Sequence, residues 1–149
     1  MGHSYHYLSV HLPEQRVQHL ENAVRHNAGL CAAWAALGQH HYHNHDWINC
    51  MWACHQGIHQ LDQGAEADQH TRVVLYDTGA IACDRLGLGH RGVLWGQQAL
   101  ALAPEDARLI NNMTWYRKTA QGESEGIMEE GVGFEPTEDA VNALVSFQD

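Results

Sequence analysis

The sequence predicts an all-α protein made of antiparallel helix pairs. Proline occurs only three times in 149 residues, runs of alternating β-branched residues are absent, and apolar residues recur at spacings of three and four. A chain of this length is large enough to bury a core of its own. We therefore expect one helical domain over residues 1–120, followed by two shorter segments.

The first three helices are expected over residues 14–26, 31–44 and 47–61. The first follows Pro13, which lacks the backbone N–H that the first turn of a helix would leave unpaired. A short polar break separates the second helix from the third, so these two should form a tight antiparallel hairpin. The polar stretch over 62–69 then separates this hairpin from the next one.

A second hairpin is expected from residues 71–86 and 89–102, with a glycine-containing turn between its helices. Pro104 ends this hairpin, because proline does not continue a helix. Two acidic residues then begin a sixth helix over 105–119, where their charge favours the positive N-terminal end of the helix dipole. The domain would thus contain two hairpins flanked by single helices.

The residues after the sixth helix have a different character. Residues 121–133 are rich in Gly and Glu and lack periodicity, which is typical of a flexible linker. Residues 134–149 contain a short amphipathic pattern over 137–147, with Val141 and Leu144 on its apolar side. We expect this last segment to form a short C-terminal helix that needs a surface to pack on.

Composition restricts the class of partner and the compartment. Eight basic residues against 18 acidic ones give a formal net charge of -10, which argues against nucleic acid and favours basic or neutral partners. No apolar run is long enough to cross a membrane and the N-terminus lacks a secretion signal, so we expect a cytoplasmic protein that does not bind membranes. The cysteines lie in helical apolar patterns and are expected to be buried thiols: Cys31, Cys50, Cys54 and Cys83.

The two hairpins carry an internal repeat that resembles the tetratricopeptide repeat. In the first unit, Trp34, Leu37 and Gly38 stand where that repeat has its W-x-x-L-G motif. The matching residues of the second unit are Tyr76, Gly79, Ala80, Gly87, Gly92, Gly96, Ala99, Leu100, Leu102 and Pro104. The resemblance implies a right-handed α-solenoid of about two and a half repeats plus the C-terminal helix. The units begin near Cys31 and Val73, which indicates an insertion of about eight residues between them.

A narrower stretch, residues 76–116, resembles the repeat regions appended to some bacterial family-2 glycosyltransferases. The chain has no Asp-x-Asp motif and no room for a nucleotide-sugar domain. This second resemblance therefore implies a non-catalytic repeat module of a glycosyltransferase system, without the transferase activity.

In tetratricopeptide repeats the first helix of each unit lines a concave groove. The resemblance places the following residues on that surface: Gln39, Tyr42, His43, Asp77, Ile81, Asp84, Arg85, Arg108, Asn111, Trp115 and Lys118. We expect a peptide or segment of a partner protein to bind there, as in an adaptor, scaffold or chaperone module, with Tyr42 or Trp115 as an apolar anchor. An ordinary solvated helix face is the alternative interpretation. Self-association through the ends of the solenoid or the C-terminal helix also suits so short an array.

Thirteen histidines make metal binding the main alternative function. His41 and His45 are four residues apart, as are His55 and His59, and two imidazoles one helical turn apart can share a zinc, copper or nickel ion. No acidic residue supplies a convincing third ligand, so we expect no metal and no other cofactor. The high histidine content stays unexplained by the sequence.

The sequence pattern does not indicate catalysis. Cys54 and His55 are neighbours, but adjacent residues of a helix point about 100° apart and do not form a pair of nucleophile and base. Gly87, Gly89 and Gly92 fall at a helix turn with no strand before them, unlike the glycines of a phosphate-binding loop. We therefore expect a protein without enzymatic activity.

Overall fold

The computed structural model describes residues 13–125, with side chains from Gln15 onward. This part of the chain forms six α-helices and no strand, which confirms the all-α prediction for it. The helices are α1 (Pro13–His26), α2 (Cys31–His43), α3 (Trp47–Asp62), α4 (Gln69–Arg85), α5 (Gly89–Leu102) and α6 (Ala107–Ser124). Their ends lie within two residues of the predicted ends, except at the C-terminus of α6.

Helix α6 is longer than the sequence predicts. It continues to Ser124, so the first residues of the predicted linker over 121–133 are helical. The backbone N–H of Glu125 still donates to the carbonyl of Gln121, which closes the last turn. The rest of the predicted linker, the predicted C-terminal helix within 134–149 and the first 12 residues lie outside the described part of the chain.

Each helix packs against the next one along the chain. On one side of the molecule, helices that are two apart in the chain also contact each other. Helix α4 contacts both α2 and α6, whereas in the described residues α3 approaches neither α1 nor α5 at the level of the backbone. The layer formed by α2, α4 and α6 is therefore spaced more closely than the layer formed by the other three helices. The closer layer positions the candidate site.

The core lies between these two layers. Its largest fully buried side chains include Val24, Leu37, Met51, Leu75 and Met113, which come from five of the six helices. The four predicted thiols are also free and buried, as expected: Cys31, Cys50, Cys54 and Cys83. None of the described helices combines the length and the apolar character needed to span a membrane.

Three of the connections end a helix in the same way. A residue in the left-handed region follows the last helical turn: His45 with φ 57°, Gly64 with φ 96° and Gly87 with φ 79°. In each case the next backbone N–H returns to a carbonyl five residues earlier; the Asp46 N–H, for example, donates to the carbonyl of His41 at 2.9 Å. This is the Schellman arrangement, and glycine suits its left-handed position best.

Helix beginnings divide into two kinds. Asp46, Asp68 and Asp106 each accept a hydrogen bond from a backbone N–H in the first turn of the helix that follows. Helix α5 begins after Leu88, which has no such side chain. There, the carboxylate of Glu123 in the last turn of α6 accepts a hydrogen bond from the backbone N–H of His90 at 3.0 Å. The α5 cap therefore comes from a different helix.

Candidate binding groove

A groove of about 400 Å³ runs across the closely spaced layer. One side chain from α2, three from α4 and four from α6 line it: Tyr42, Ile81, Asp84, Arg85, Arg108, Asn112, Trp115 and Tyr116. Its wall thus combines three aromatic rings and an isoleucine with two cations, one carboxylate and one amide. We call it the α2–α4–α6 groove.

Six of the eleven residues predicted to bind a partner line this groove together. They are Tyr42, Ile81, Asp84, Arg85, Arg108 and Trp115. The structure adds Asn112 and Tyr116, which sequence reasoning missed. Their signal was the spacing of four residues from Arg108 to Asn112 to Tyr116, which places all three on one side of α6.

The other five predicted residues lie around the groove and not in its wall. Asp77 is hydrogen-bonded to a groove residue, Arg108. The His43 ring packs edge-on against Tyr42 with centroids 5.4 Å apart, and the Lys118 ammonium lies 5.7 Å from the Trp115 ring centroid. Two remaining side chains, Gln39 and Asn111, are exposed on α2 and α6.

An ion pair joins α4 to α6 at the groove. Nη2 of Arg108 donates to Oδ2 of Asp77 at 2.8 Å, and only 11% of the Asp77 side chain is exposed. Burial raises the pKa of Asp77 above its ordinary value, although the Arg108 guanidinium opposes this shift. Among the described residues, Arg108 is therefore the charged partner that stabilises the ionised form of the Asp77 carboxylate.

A second carboxylate is held in place from α6. Asp84 lines the groove, and its Oδ1 accepts a hydrogen bond from the Thr119 hydroxyl at 2.6 Å. The residues are 35 positions apart in the chain, so this bond ties the end of α4 to the second half of α6. A neutral donor leaves the negative charge of Asp84 available at the groove surface.

Aromatic and cationic side chains are paired at both ends of the groove. At one end the Arg85 guanidinium lies 5.6 Å from the Trp47 ring, and the rings of Tyr42 and His45 also pack on Trp47. At the other end Trp115 is 61% exposed beneath the Lys118 ammonium. Large apolar surface is therefore presented to solvent next to positive charge.

Tyr116 supplies a buried polar atom beside the groove. The residue is 3% exposed, and its hydroxyl has no hydrogen-bond partner among the described residues. Burial raises the pKa of Tyr116, as do the charges of Asp77 and Asp84; the Asn112 side chain opposes the shift without making a well-formed hydrogen bond to the hydroxyl. The phenol therefore stays neutral in the physiological range.

The four histidines considered for metal binding have different surroundings. His41 lies 3.9 Å from the Asp46 carboxylate, and His45 stacks on Trp47. The His55 ring packs against Trp95, whereas His59 is exposed. Within the described part of the chain, no three His, Cys, Asp or Glu side chains are grouped so that they could hold a metal ion.

Burial rather than charge dominates the titration of two of these histidines. Burial lowers the pKa of His41, with the Asp46 carboxylate opposing the shift. Burial also lowers the pKa of His55, and the positive charge of Arg91 lowers it further. Both imidazoles are therefore neutral at physiological pH, and each packs as an aromatic ring.

Comparison with known proteins returned no match to any protein-family model, to any curated protein or to any solved structure.

Proposed function

We propose that the protein is a non-catalytic adaptor that binds a peptide or a segment of a partner protein in the α2–α4–α6 groove. The observation that carries this proposal is the gathering of Tyr42, Arg108 and Trp115 from two helices into one groove next to Ile81 and Asp84 of a third. Grooves that combine exposed aromatic anchors with a few fixed polar groups are typical peptide-binding surfaces.

The finer architecture belongs to the same proposal. We infer that the helices form a solenoid of the tetratricopeptide type, in which α2, α4 and α6 are the first helices of successive units. The closer spacing of these three helices supports the inference, because the more closely spaced layer of a curved array lies on its inner side. The groove would then be the concave surface of the solenoid.

Apolar contacts would supply most of the binding free energy. Trp115 is the most exposed large apolar side chain among the described residues, and Tyr42 lies across the groove from it on α2. Aromatic residues that become buried against a partner often account for about 2 kcal/mol or more each. Ile81 lies on α4 between the two helices and extends the apolar surface.

Charges would fix the direction of the bound segment. Arg85 and Asp84 are neighbours at the end of α4, and Arg108 lies at the start of α6 with its charge partly balanced by Asp77. A partner with an acidic group near one end and an apolar side chain near Trp115 would satisfy both features. Such charged contacts add specificity more than affinity.

The test is to select binders for the intact protein from a random peptide library. Selected peptides should lose about thirtyfold or more in affinity on Trp115→Ala or Tyr42→Ala, as expected for residues that contribute about 2 kcal/mol. Leu94→Ala is the matched control, because Leu94 is 55% exposed on α5 and lies outside the groove.

The same variants apply to partners from the native cells. A photo-crosslinking residue at position 111, beside the groove on α6, should label a partner, and Trp115→Ala should abolish the labelling. Peptides or partners that bind Trp115→Ala and Leu94→Ala equally well would refute the groove as the binding site. Failure to select any peptide with the intact protein would count against the adaptor function itself.

A further inference from the structure

We propose that the occupant of the α2–α4–α6 groove in the isolated protein is the chain's own C-terminal segment, residues 134–149, acting as a competitor of external partners. This inference rests on the proposed function, because it assumes that the groove binds a peptide. It adds an intramolecular ligand and therefore a means of regulation. Three observations support this inference: the charges of the segment and the groove, their apolar surfaces, and the length of the connection between them.

Charge complementarity is the first argument. The 24 residues after Glu125 contain six of the 18 acidic residues and none of the eight basic ones. By contrast, three of the eight basic residues, Arg85, Arg108 and Lys118, lie in the groove wall or beside it. Four of these six acidic residues lie in the segment itself, whereas the groove and its surroundings hold those three cations against two carboxylates, Asp77 and Asp84, in a protein of net charge -10.

The apolar pattern is the second argument. Val141, Leu144 and Val145 share one side of the predicted helix over 137–147, and Glu138 and Asp139 precede them. The groove offers Tyr42, Ile81 and Trp115 as apolar surface, with its cations at the rim. Both surfaces therefore combine an apolar strip with charge; the charges of the segment are all negative, and those of the groove are mostly positive.

Reach is the third argument. Ten residues separate Glu125 from Trp115 along α6, which corresponds to about 15 Å at the rise of an α-helix. The eight residues over 126–133 span up to about 27 Å when extended. The last segment can therefore turn back along α6 to the groove, and the short connection gives it a millimolar effective concentration there.

A competing position for the segment is the outer side of α6, where it would complete a third helical hairpin. The exposed residues on that side are Ile110, Thr114, Arg117 and Gln121. Only Ile110 among them is a large apolar residue, and it is 48% exposed. The groove therefore offers more apolar surface to an amphipathic helix than the outer side does.

Lys118 allows a specific test, because it is the only lysine in the sequence. A carbodiimide joins an amine directly to a carboxylate, so the intact protein should form a crosslink from Lys118 to Glu138 or Asp139 within one molecule. Leu144→Ser should reduce the yield of this crosslink at least tenfold by removing the apolar contact. Asn142→Ser is the control, because it replaces one polar residue by another beside the apolar strip and keeps every carboxylate.

Two outcomes would overturn the inference. A crosslink formed equally by wild type and Leu144→Ser would report only the proximity of a tethered chain. A crosslink found only between isotopically distinct copies would place the segment in a neighbouring molecule.

Peptide affinity separates this inference from the proposed function. If the segment occupies the groove, Leu144→Ser should raise the affinity for a library-selected peptide about tenfold or more by removing the competitor. If selected peptides bind through Trp115 but Leu144→Ser changes neither affinity nor crosslinking, the adaptor function stands and self-occupancy is wrong. If no peptide binds either wild type or Leu144→Ser, the adaptor function itself is wrong.

Discussion

At the scale of single residues, the Asp77–Arg108 pair shows how the groove obtains a fixed cation. The carboxylate is nearly buried, whereas 57% of the Arg108 side chain is exposed. Removing the arginine would leave a buried charge without its partner, and this is more costly than removing both charges. Arg108 therefore has two roles, because it compensates Asp77 and presents the rest of its guanidinium to the groove.

We predict that Arg108→Ala lowers the free energy of unfolding by about 2 kcal/mol at neutral pH, less than for a fully buried pair because Arg108 is partly exposed. Since burial already raises the pKa of Asp77, loss of Arg108 should raise this pKa further. A carboxylate whose pKa is raised in the folded protein destabilises the fold at pH values above that raised pKa. This loss of stability disappears as the pH falls towards the ordinary carboxylate pKa of about 4. Denaturant titrations across this range measure the effect.

Asp77→Asn is the matched control for this prediction. It removes the buried charge, so the stability of Asp77→Asn should differ from that of wild type by less than about 1 kcal/mol at neutral pH. The difference in stability between Arg108→Ala and wild type should also shrink on acidification. An Arg108→Ala deficit that is the same at neutral and acidic pH would show that lost packing, not the unpaired carboxylate, causes it.

At the scale of helices, the junction between α5 and α6 explains why α6 extends beyond its predicted end. Glu123 caps α5 through the His90 backbone N–H, and Ser124 Oγ lies 2.6 Å from His90 Nε2. These contacts hold the last turn of α6, although Gly122 within it is a poor helix former. Tertiary contacts therefore override local preference there.

Gly89 makes this junction possible. A Cβ atom at Gly89 would overlap the backbone atoms of Thr119 and Ala120, and backbone cannot move aside as a flexible side chain can. We predict that Gly89→Ala lowers the free energy of unfolding by about 2 to 3 kcal/mol through overpacking. Thermal and denaturant unfolding of the intact protein measure this cost.

Gly122→Ala is the control for the same substitution. Apart from its chain neighbours and the adjacent backbone of α6, no described atom lies within 4 Å of a Cβ added at Gly122, which is also in α6. Alanine favours the helix over glycine, so Gly122→Ala should leave stability unchanged or raise it by up to about 1 kcal/mol. Equal losses for the two variants would contradict the close approach of α5 and α6 at Gly89.

At the scale of the whole molecule, the four buried thiols report on cooperative unfolding. They lie in α2, α3 and α4, and each is at most 2% exposed. Burial raises the pKa of Cys83 to about 12, and contact with Cys50 together with burial raises the pKa of Cys54. The reactive thiolate form of these cysteines is therefore scarce in the folded protein. Burial also protects the sulfur atoms sterically.

We predict that a thiol-exchange reagent at mildly alkaline pH labels none of the four cysteines until the protein unfolds. Labelling should then rise over the same denaturant range as the loss of helical circular dichroism, because one core holds all four residues. Mass spectrometry of the labelled protein counts the modified sites. Rapid labelling of one cysteine without denaturant would instead reveal local opening of its helix.

Within residues 13–125, the sequence by itself determined which segments are helical, where five of the six helices end, and which cysteines are buried. These features depend on residues close together in the chain, such as the spacing of apolar side chains and the aspartates and glycines at helix ends. The resemblance of the two hairpins to a repeat also predicted that Tyr42, Asp84 and Trp115 share one surface, and all three line the groove.

Only the tertiary structure decided how polar groups of different helices meet. The bonds from Arg108 to Asp77, from His90 to Glu123 and from Thr119 to Asp84 join residues 31 to 35 positions apart. No local pattern marks such partners, because each depends on the distance and rotation between two packed helices. For the same reason, the spacing of Asn112 and Tyr116 from Arg108 marks one side of α6, but only the packing of α4 beside α6 makes that side part of the groove.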